Sequence, residues 1–415
     1  MKKLLTLVLA LVLALCAFTG CKNDNAEKVG ELEIPAFAGL EEPDYSSLQV
    51  PADFKIGMIC LHDESSTYDL NFIRAAREAV AQLGMNANQL VIKTGIPENA
   101  TCKTAADELV EAGCSVIFAD SFGHEDYIKA AAQEHSDVMF CHATGVQAAS
   151  SGLDNFFNAF ASIYEGRYLA GVAAGMKLKE LYADNDGNVS DANAKMGYVG
   201  AYTYAEVISG YTSFYLGAKS IVPNVKMDVR FTGSWYSIAD EKSAAEALIN
   251  GGAKLISQHA DSMGAPSACE EAGIPNVSYN GSTYESCPES FVISSAINWA
   301  PYIKHIIAQT VKGQPITQDY VGSLKTGSVV LSKVNGDVAA NGTVEKLVEV
   351  RNALANGTLN VFDTSKFTVK NDTVTEKIVN GVNVIENGIF KESKVQSAPY
   401  FDYQIDGITL LNTMF

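Results

Sequence analysis

Aromatic side chains and carboxylates or amides recur in this 415-residue sequence at places where short apolar runs end. Rings supply stacking surface, and carboxylates or amides match the N–H and amine donors of a heterocycle. Small-molecule sites combine such apolar walls with a few polar groups that fix orientation, so the mixture predicts a site for a flat, heteroaromatic ligand. The candidate ligand-binding residues are Tyr68, Asn71, Asp120, Phe122, Glu206, Trp235, Asp261 and Asn280.

The motifs of common catalytic centres are missing from this sequence. It contains no G-x-S-x-G, H-E-x-x-H or G-x-x-x-x-G-K motif, and residues 84–95 lack the glycine pattern of a dinucleotide site. His62, His124, His142 and His259 follow apolar runs and could contact a ligand, but no histidine pair has zinc-site spacing with an acidic partner. We therefore expect no catalytic residue, no metal ligand and no cofactor.

Short apolar runs that alternate with helical segments must position the candidate residues. The alternation over residues 55–141 and again over residues 163–294 is typical of parallel strands buried on both faces. We therefore predict an α/β fold with two Rossmann-like lobes, each a doubly wound parallel sheet, separated near residues 155–163. Ligands of such sheets bind beyond the carboxyl ends of the strands, where the candidate residues stand. The predicted strands cover residues 55–60, 90–93, 115–119, 138–141, 195–200, 226–232, 254–258, 276–279 and 291–294, and the predicted helices cover residues 71–83, 104–112, 127–135, 163–179, 206–218, 243–250 and 343–355.

The N-terminal residues have the pattern of an export signal. Lys2 and Lys3 precede an apolar run over residues 4–18, which is too short to span a bilayer as a helix. Small residues lead up to Cys21, as in a bacterial lipoprotein signal that is cut before a lipid-modified cysteine. A plain secretory signal and an uncleaved anchor are the alternatives. We predict a signal peptide over residues 1–20, lipidation of Cys21 and a position on the extracytoplasmic face of the cell membrane.

Length and charge limit the domain count and the partners. After cleavage about 395 residues remain, which suits two domains better than one core. The net charge of −18 argues against a nucleic-acid partner, because a phosphate backbone requires Lys and Arg stripes. Residues 21–54 lack periodicity and predict a flexible tether. We expect residues 55–160 with about 295–325 to form lobe 1, and residues 161–294 with part of 326–415 to form lobe 2.

Several stretches resemble the basic membrane protein family, the purine nucleoside receptor lipoproteins of bacterial ABC importers. The resemblance runs from about residue 54 to residue 362, and its most specific block is YEGRYLAGVAAG at residues 164–175. The other matching stretches are FADSFG at 118–123, KMGYVG at 195–200, EV at 206–207, FYLGA at 214–218, SWY at 234–236 and NWAPY at 298–302.

The resemblance implies a type I periplasmic-binding-protein fold with two lobes, a hinge, and a purine held between aromatic rings in the cleft. It also implies a small purine-like ligand, an ABC permease with its ATPase as partners, and contact with the membrane through the lipid anchor. We expect a monomer. Carried over by position, Tyr68 and Trp235 would be the stacking pair, Asn71 and Asp120 the polar contacts of the first lobe, and Glu206 and Asp261 those of the second.

Two positions depart from the family's ribose-binding pattern. The family has an Asp after the strand at residues 276–279 and a Lys before the segment that contains Trp299, and both contact ribose hydroxyls. This sequence has Asn280 and Asn298 at those positions. An amide still donates and accepts hydrogen bonds, but a site without either charge would hold a sugar less firmly. The sequence therefore favours a free purine base, or another flat heterocycle, over an intact nucleoside.

Two other functions stay open from the sequence. A surface sensor or adhesin would keep the fold without a transport role, and a neighbouring permease gene would argue against it. An extracellular nucleoside hydrolase would need Asp120, Glu206 or Asp261 to activate water, but the sequence offers no activated nucleophile or metal cluster. The binding protein of an importer is the favoured hypothesis.

Overall fold

The computed structural model describes residues 28–415, so the predicted signal peptide and Cys21 lie outside the described residues. Within residues 28–415, no helix has the length and apolar character needed to cross a membrane. Two large sheets flanked by helices dominate this part of the chain, which confirms the predicted α/β fold with two lobes.

The strands and helices follow one another with the alternation that the sequence predicts. The helices are α1 (Thr67–Gln82), α2 (Ala100–Glu111), α3 (Glu125–Glu134), α4 (Ile163–Tyr182), α5 (Ala205–Lys219), α6 (Ile238–Asn250), α7 (Gly264–Ala272), α8 (Ala300–Lys312) and α9 (Thr343–Ala355). The strands are β1 (Glu31–Leu32), β2 (Ile56–Ile59), β3 (Leu90–Lys93), β4 (Val116–Ala119), β5 (Met139–Ala143), β6 (Phe156–Ala161), β7 (Lys195–Gly200), β8 (Lys226–Phe231), β9 (Ile256–His259), β10 (Asn276–Tyr279), β11 (Phe291–Ile297), β12 (Asp319–Gly322), β13 (Val329–Leu331), β14 (Val334–Asn335), β15 (Ile378–Val379), β16 (Val382–Asn383), β17 (Ile385–Glu386), β18 (Ile389–Phe390) and β19 (Ile408–Leu410).

The first lobe is built on a sheet of six parallel strands in the order β12-β6-β5-β4-β2-β3. Helices α1 and α8 cover one face, and α2 and α3 cover the other. The strands β2 and β4 are buried throughout, as expected of strands that are covered on both faces. The strand order reverses between β2 and β4, so their carboxyl ends flank the place where doubly wound sheets bind ligands.

The second lobe is built on a sheet of seven strands in the order β13-β11-β10-β9-β7-β8-β19, parallel except for the β11–β13 pair. Helices α4 and α5 pack face to face with almost no space between their backbones. A Cβ at Gly171 would lie 2.0 Å from the Phe214 carbonyl oxygen, and one at Gly217 would lie 2.1 Å from that of Tyr168. Gly171 and Gly175 of the YEGRYLAGVAAG block therefore serve close helix packing.

Strand β6, which is not among the predicted strands, lies at the boundary between the lobes. The sequence FFNAFA is buried throughout and pairs with β5 and β12, so residues 155–161 belong to the first sheet. The chain crosses between the lobes just after this strand, at residues 161–163, and again at residues 297–300 and 322–329. These three crossings form the hinge. The FFNAFA run lacks the alternation of apolar and polar residues that is typical of a half-buried strand. Its sequence pattern alone therefore does not distinguish a strand from a connecting segment.

Three helices begin earlier than predicted because polar residues start them. Ser66, Asn99 and Ser237 precede α1, α2 and α6, and each side-chain oxygen accepts a hydrogen bond from a backbone N–H of the first turn. Such caps satisfy backbone donors that have no partner within the helix. The first turns are polar, so apolar periodicity does not detect them.

Residues 28–54 pack along the body, although the sequence predicts a flexible tether here; we call this segment the N-terminal strap. It starts on the second lobe, where β1 pairs antiparallel with β14. At the hinge, the backbone N–H of Glu41 donates to the Lys325 carbonyl at 2.7 Å. It then reaches the first lobe, where Glu42 forms an ion pair with Lys304 of α8. An extended segment with isolated anchors has no periodicity, so its order was not predictable from pattern.

Candidate ligand-binding site

A narrow cavity lies between the lobes at the carboxyl ends of both sheets. It encloses about 410 Å³ of space between atoms, counting the part that opens to solvent. Six of the eight candidate residues line it: Tyr68, Phe122, Glu206, Trp235, Asp261 and Asn280. The remaining lining residues are Leu61, His62, Asp69, Ser121, Thr144, His259 and Tyr279.

The other two candidates, Asn71 and Asp120, lie behind the wall of the cavity. The Asn71 amide Nδ2 donates to the Ile297 carbonyl at 2.6 Å and thereby joins α1 to β11 beside the hinge. Asp120 is fully buried, and its Oδ1 accepts from the Leu61 N–H at 3.1 Å. Burial, together with the nearby carboxylate of Asp69, raises the pKa of Asp120 well above its usual value.

In the wall contributed by the first lobe, the side chains of Tyr68 and Asp69 are already hydrogen-bonded within the protein. The Tyr68 hydroxyl donates to the Asp120 carbonyl at 2.7 Å, which fixes its ring at the cavity. The Asp69 carboxylate accepts from the His62 N–H at 2.8 Å and from Ser66 Oγ at 2.6 Å. Burial raises the pKa of Asp69, but the hydrogen bonds from His62 and Ser66 outweigh it and hold the pKa below its usual value.

The wall contributed by the second lobe holds several buried polar atoms that have no hydrogen-bond partner among residues 28–415. They are Asn280 Oδ1, His259 Nδ1 and the Tyr279 hydroxyl oxygen. Asn280 Nδ2 lies 3.4 Å from Asp261 Oδ1, and His259 Nε2 lies 3.5 Å from Glu206 Oε1. Each unsatisfied buried group costs about 1–3 kcal/mol, so these atoms are suited to pair with a ligand.

Burial also controls the charge of this second wall. It raises the pKa of Asp261 well above its usual value, and the nearby carboxylate of Glu241 acts in the same direction. Burial lowers the pKa of His259, although the nearby carboxylate of Glu206 acts to raise that pKa. The imidazole is therefore neutral at neutral pH, and one of its ring nitrogens is left to accept a hydrogen bond.

Helix α5 brings Glu206 to the cavity and comes close to β9 one turn later. A Cβ at Gly210 would lie 2.6 Å from His259 Nδ1, which is too short for any side chain. The glycine thus allows the helix to approach the histidine, and it keeps the distance between Glu206 and His259 short.

An aromatic cluster stands at the mouth of the cavity and includes two residues that sequence reasoning missed. The Tyr202 and Tyr204 rings stack at 5.1 Å, and the Trp235 ring meets Tyr202 edge-on at 5.2 Å. From the first lobe, Phe122 lies 5.7 Å from Tyr204 and is 44% exposed. Both tyrosines follow β7 directly, so the strand-end rule that selected the other candidates also points to them.

Thr144 is a further lining residue that directly follows β5, so the strand-end rule points to it as well, although it is not among the eight candidates. Its φ of +66° is in the left-handed region, where a β-branched residue is rare and the backbone is strained by about 1–3 kcal/mol. The next N–H, that of Gly145, donates to Asn158 Oδ1 at 2.7 Å and holds the loop. The hydroxyl of Thr144 is buried and faces the cavity without a partner among the described residues.

The two lobes touch each other around the cavity. The N–H and hydroxyl of Thr67 in the first lobe both donate to the Asp261 carbonyl in the second, at 3.0 and 3.2 Å. The rings of His62 and Tyr236 also meet across the cleft at 5.3 Å. The structure is therefore a closed arrangement in which the lobes surround the cavity.

Two doubly wound lobes that close on a hinge over a polar and aromatic cavity define a ligand receptor of the periplasmic-binding-protein class. A family model described as ABC transporter substrate-binding protein PnrA-like matches residues 56–365. The chain belongs to this family, named Bmp. As a substrate-binding protein of an ABC transporter, it acts outside the cytoplasm with a small-molecule ligand and a permease.

Two relatives and one solved structure show how far the likeness extends. The chain is 29% identical over 313 residues to a purine-binding protein of Brucella abortus (strain 2308), covering 75% of this chain and 80% of that protein. It is 27% identical over 266 residues to a candidate ABC transporter glucose-binding protein of Haloferax volcanii, covering 64% of this chain and 63% of the relative. A solute-binding protein structure from Conexibacter woesei DSM 14684 superposes with a TM-score of 0.60 at 19% identity, over 74% of this chain and 98% of that chain. The structural likeness supports the fold, and the two relatives are named for different ligands.

Proposed function

We propose that this protein captures a purine base in the cavity between its lobes and delivers it to the permease and ATPase of an ABC importer. The observation that carries the proposal is the convergence of aromatic rings and unpaired hydrogen-bonding atoms in one narrow cavity. A purine offers two flat faces for the rings and an edge of N–H, amine and ring-nitrogen groups for the polar atoms.

Stacking would come from both lobes. Tyr68 of the first lobe and Trp235 of the second both line the cavity, so a flat ring between them would connect the lobes. The Tyr68 ring is fixed by its hydroxyl, whereas Trp235 contacts other rings of the aromatic cluster. Stacking of a base on an aromatic side chain contributes about 1–3 kcal/mol, so the pair supplies a large share of the affinity.

Polar recognition would come mainly from the second lobe. The carboxyl groups of Glu206 and Asp261 and the amide oxygen of Asn280 can accept hydrogen bonds from ring N–H and amine groups. The neutral imidazole of His259 lines the cavity beside these groups. A purine edge presents donors and acceptors side by side and matches this set better than a purely apolar ring would.

The surroundings of two asparagines support a free base rather than a nucleoside. Asn298 lies outside the cavity, where its Nδ2 donates to the Gly327 carbonyl at 3.2 Å and its Oδ1 accepts from the Ala300 N–H at 3.0 Å. It is therefore committed to the start of α8. Asn280 is uncharged and already interacts with Asp261. Neither position offers the charged contact to a ribose that the family resemblance implies.

Calorimetric titration of the purified protein tests the ligand. Adenine, hypoxanthine and guanine are titrated beside adenosine, inosine, guanosine and glucose. We expect saturable heat with at least one base and weaker binding of the matching nucleoside. Tight binding of glucose without any purine response, or no heat and no thermal shift with any purine, contradicts the proposal.

We also propose that a lipid on Cys21 holds the protein at the membrane. The support is the sequence pattern, in which Lys2 and Lys3, an apolar run and small residues lead to this cysteine. In cells fed a labelled palmitate analogue, we expect label on the wild type in the membrane fraction and neither label nor retention for Cys21→Ala. A Cys21→Ala protein that stays in the membrane would show a different anchor.

Uptake measurements distinguish the binding protein of an importer from a sensor or adhesin with the same fold. Deleting the gene should reduce uptake of the labelled base at low external concentration, and a plasmid copy should restore it. Unchanged uptake together with calorimetric binding would support the sensor.

A further inference from the structure

The chain continues well past the family match, which ends at residue 365. We call residues 366–415 the C-terminal extension. It forms the hairpins β15–β16 and β17–β18, and its last strand, β19, adds a parallel edge strand beside β8 of the second sheet. The extension is thus anchored in the second lobe by backbone pairing.

Side chains of the extension also hold the helix that starts at the ligand cavity. Glu392 accepts from Ser209 Oγ of α5 at 2.6 Å and from the Phe401 N–H at 3.0 Å. Two residues further along α5, the Tyr211 hydroxyl donates to Gln404 Oε1 at 3.0 Å. Glu392 and its partner Ser209 are almost fully buried, so these contacts are shielded from water.

A few residues later, the same segment is bonded to the first lobe. The backbone N–H of Ser397 donates to Asp319 Oδ2 at 2.8 Å, and its hydroxyl donates to Asp319 Oδ1 at 2.5 Å. Asn158 Nδ2 donates to Ser397 Oγ and to Asp319 Oδ1, both at 2.9 Å. Asp319 and Asn158 face each other on β12 and β6 of the first sheet. Ser397 is 1% exposed, and hydrogen bonds to a carboxylate are stronger than neutral ones.

This contact leads directly to the wall of the ligand cavity. Asn158 uses its Oδ1 to hold the Gly145 N–H at 2.7 Å, and the residue before it is the strained Thr144 that lines the cavity. Two hydrogen bonds therefore separate the C-terminal extension from the cavity. Opening of the lobes must stretch the short segment between Glu392 and Ser397 or break its bonds to the first sheet.

We propose that the C-terminal extension is an inter-lobe clamp, in which Ser397 bonded to Asp319 and Asn158 favours the closed lobes and holds Thr144 at the cavity. The three hinge crossings connect the lobes covalently, and the clamp adds a non-covalent connection at the edge of the first sheet. The proposal does not depend on the identity of the ligand.

The test uses the full mature chain without ligand and compares Ser397→Ala with the wild type. Hydrogen–deuterium exchange of the peptide that contains Gly145 and small-angle X-ray scattering are measured together. We expect exchange at Gly145 to become roughly tenfold faster or more, because a hydrogen bond to a charged network is lost. We also expect a larger radius of gyration as the lobes open. Ser365→Ala is the matched control, because Ser365 Oγ bonds only its near neighbour Asp363.

Unchanged exchange at Gly145 and an unchanged radius of gyration in a folded Ser397→Ala protein overturn the clamp. If Ser397→Ala does not fold, Asp319→Asn is measured instead, since it keeps the shape of the acceptor but removes its charge. Faster exchange at Gly145 and a larger radius of gyration are again expected, and the absence of both changes overturns the proposal. Because no ligand is present, the outcome is independent of the purine titrations.

Discussion

The two walls of the cavity differ in how their polar groups are used. In the first lobe, the Tyr68 hydroxyl and the Asp69 carboxylate are engaged by other protein atoms. In the second lobe, Asn280, His259 and Tyr279 each keep a buried polar atom without a partner among the described residues. The first wall is therefore a largely preorganised platform, in which the Thr144 hydroxyl is the one buried lining atom without a partner among the described residues, and the second wall holds most of the hydrogen-bonding capacity for a ligand.

This difference gives each lobe its own part in recognition. A platform that is rigid before binding loses little entropy when a ring stacks on it. Unpaired groups on the opposite wall gain hydrogen bonds only when the ligand and both lobes come together, so they favour the closed state when ligand is bound. Substitutions in the first wall should then mainly change stability, and substitutions in the second wall should mainly change affinity.

The largest expected effect is on the pH dependence of the free energy of unfolding. Two buried carboxyl groups, those of Glu241 and Glu392, lie behind the second wall and titrate with shifted pKa values. Burial raises the pKa of Glu241 and that of Glu392 from 4.5 to about 7. The folded state therefore holds more protons than the unfolded state between these values, and stability falls as pH rises from about 4.5 through about 7. Each group accounts for on the order of 3 kcal/mol of this fall. Urea denaturation from pH 4.5 to 8 measures it.

Glu392→Gln provides the matched variant for the pH series. Its free energy of unfolding should fall less over the same range, by on the order of 3 kcal/mol. Glu246→Gln, at a carboxyl on the same helix as Glu241, serves as the surface control and should follow the wild type. Wild-type stability that rises steadily with pH over this range would contradict the assignment.

The next effect in size is on stacking at the second wall. Trp235→Ala should weaken binding of the purine by roughly 1–3 kcal/mol, because the stacking surface is lost. Tyr127→Ala, which removes an aromatic ring that packs outside the cavity, should leave affinity unchanged. Calorimetry on both variants measures this. An unchanged dissociation constant for Trp235→Ala would assign the ring to packing within the aromatic cluster.

A substitution at Asn280 tests directly whether the unpaired polar atoms of the second wall bind the ligand. Its φ of +62° suits glycine, so Asn280→Gly removes the amide without straining the backbone. We expect roughly tenfold weaker binding and little change in melting temperature, because one hydrogen bond to the ligand contributes about 1 kcal/mol or somewhat more. Asn280→Asp should instead raise affinity for the nucleoside relative to the base. Equal affinities of wild type and Asn280→Gly would remove this residue from the site.

The smallest effect on affinity is expected in the first wall. Tyr68→Phe removes the hydroxyl that donates to the Asp120 carbonyl but keeps the ring. We expect about 1 kcal/mol less stability from the lost hydrogen bond, and affinity within about a factor of two. Thermal unfolding and calorimetry on the same sample distinguish the two effects. A large loss of affinity with unchanged stability would show that the hydroxyl itself meets the ligand.

Most strands of the two sheets were predictable because they are short apolar runs between helical segments, although the fully buried β6 was missed. Six of the eight candidate residues line the cavity, since side chains after parallel strands meet at one edge of each sheet. Asn71 and Asp120 follow the same rule but lie behind the wall, because their side chains are engaged with the Ile297 carbonyl and the Leu61 N–H. Whether a side chain lines the cavity or lies behind its wall depends on how the helices and strands pack together, and no local sequence pattern indicates it.

Other features of the molecule could not be predicted from the sequence pattern, for different reasons. The strain at Thr144 arises from tertiary hydrogen bonds, and a threonine gives no sign of a left-handed conformation. The N-terminal strap and the segment around Ser397 are extended and lack periodicity, although tertiary contacts order both. Periodicity predicts regular elements, whereas the hinge contacts of this protein come from irregular segments.

A crystal structure of the protein with a bound purine tests the central claim most directly. We predict a base between the Tyr68 and Trp235 rings, with Asn280 Oδ1 within hydrogen-bonding distance of its edge. We also predict that the first wall keeps the hydrogen bonds of Tyr68 and Asp69. A base bound away from both rings, or one whose edge contacts only the first lobe, would contradict it.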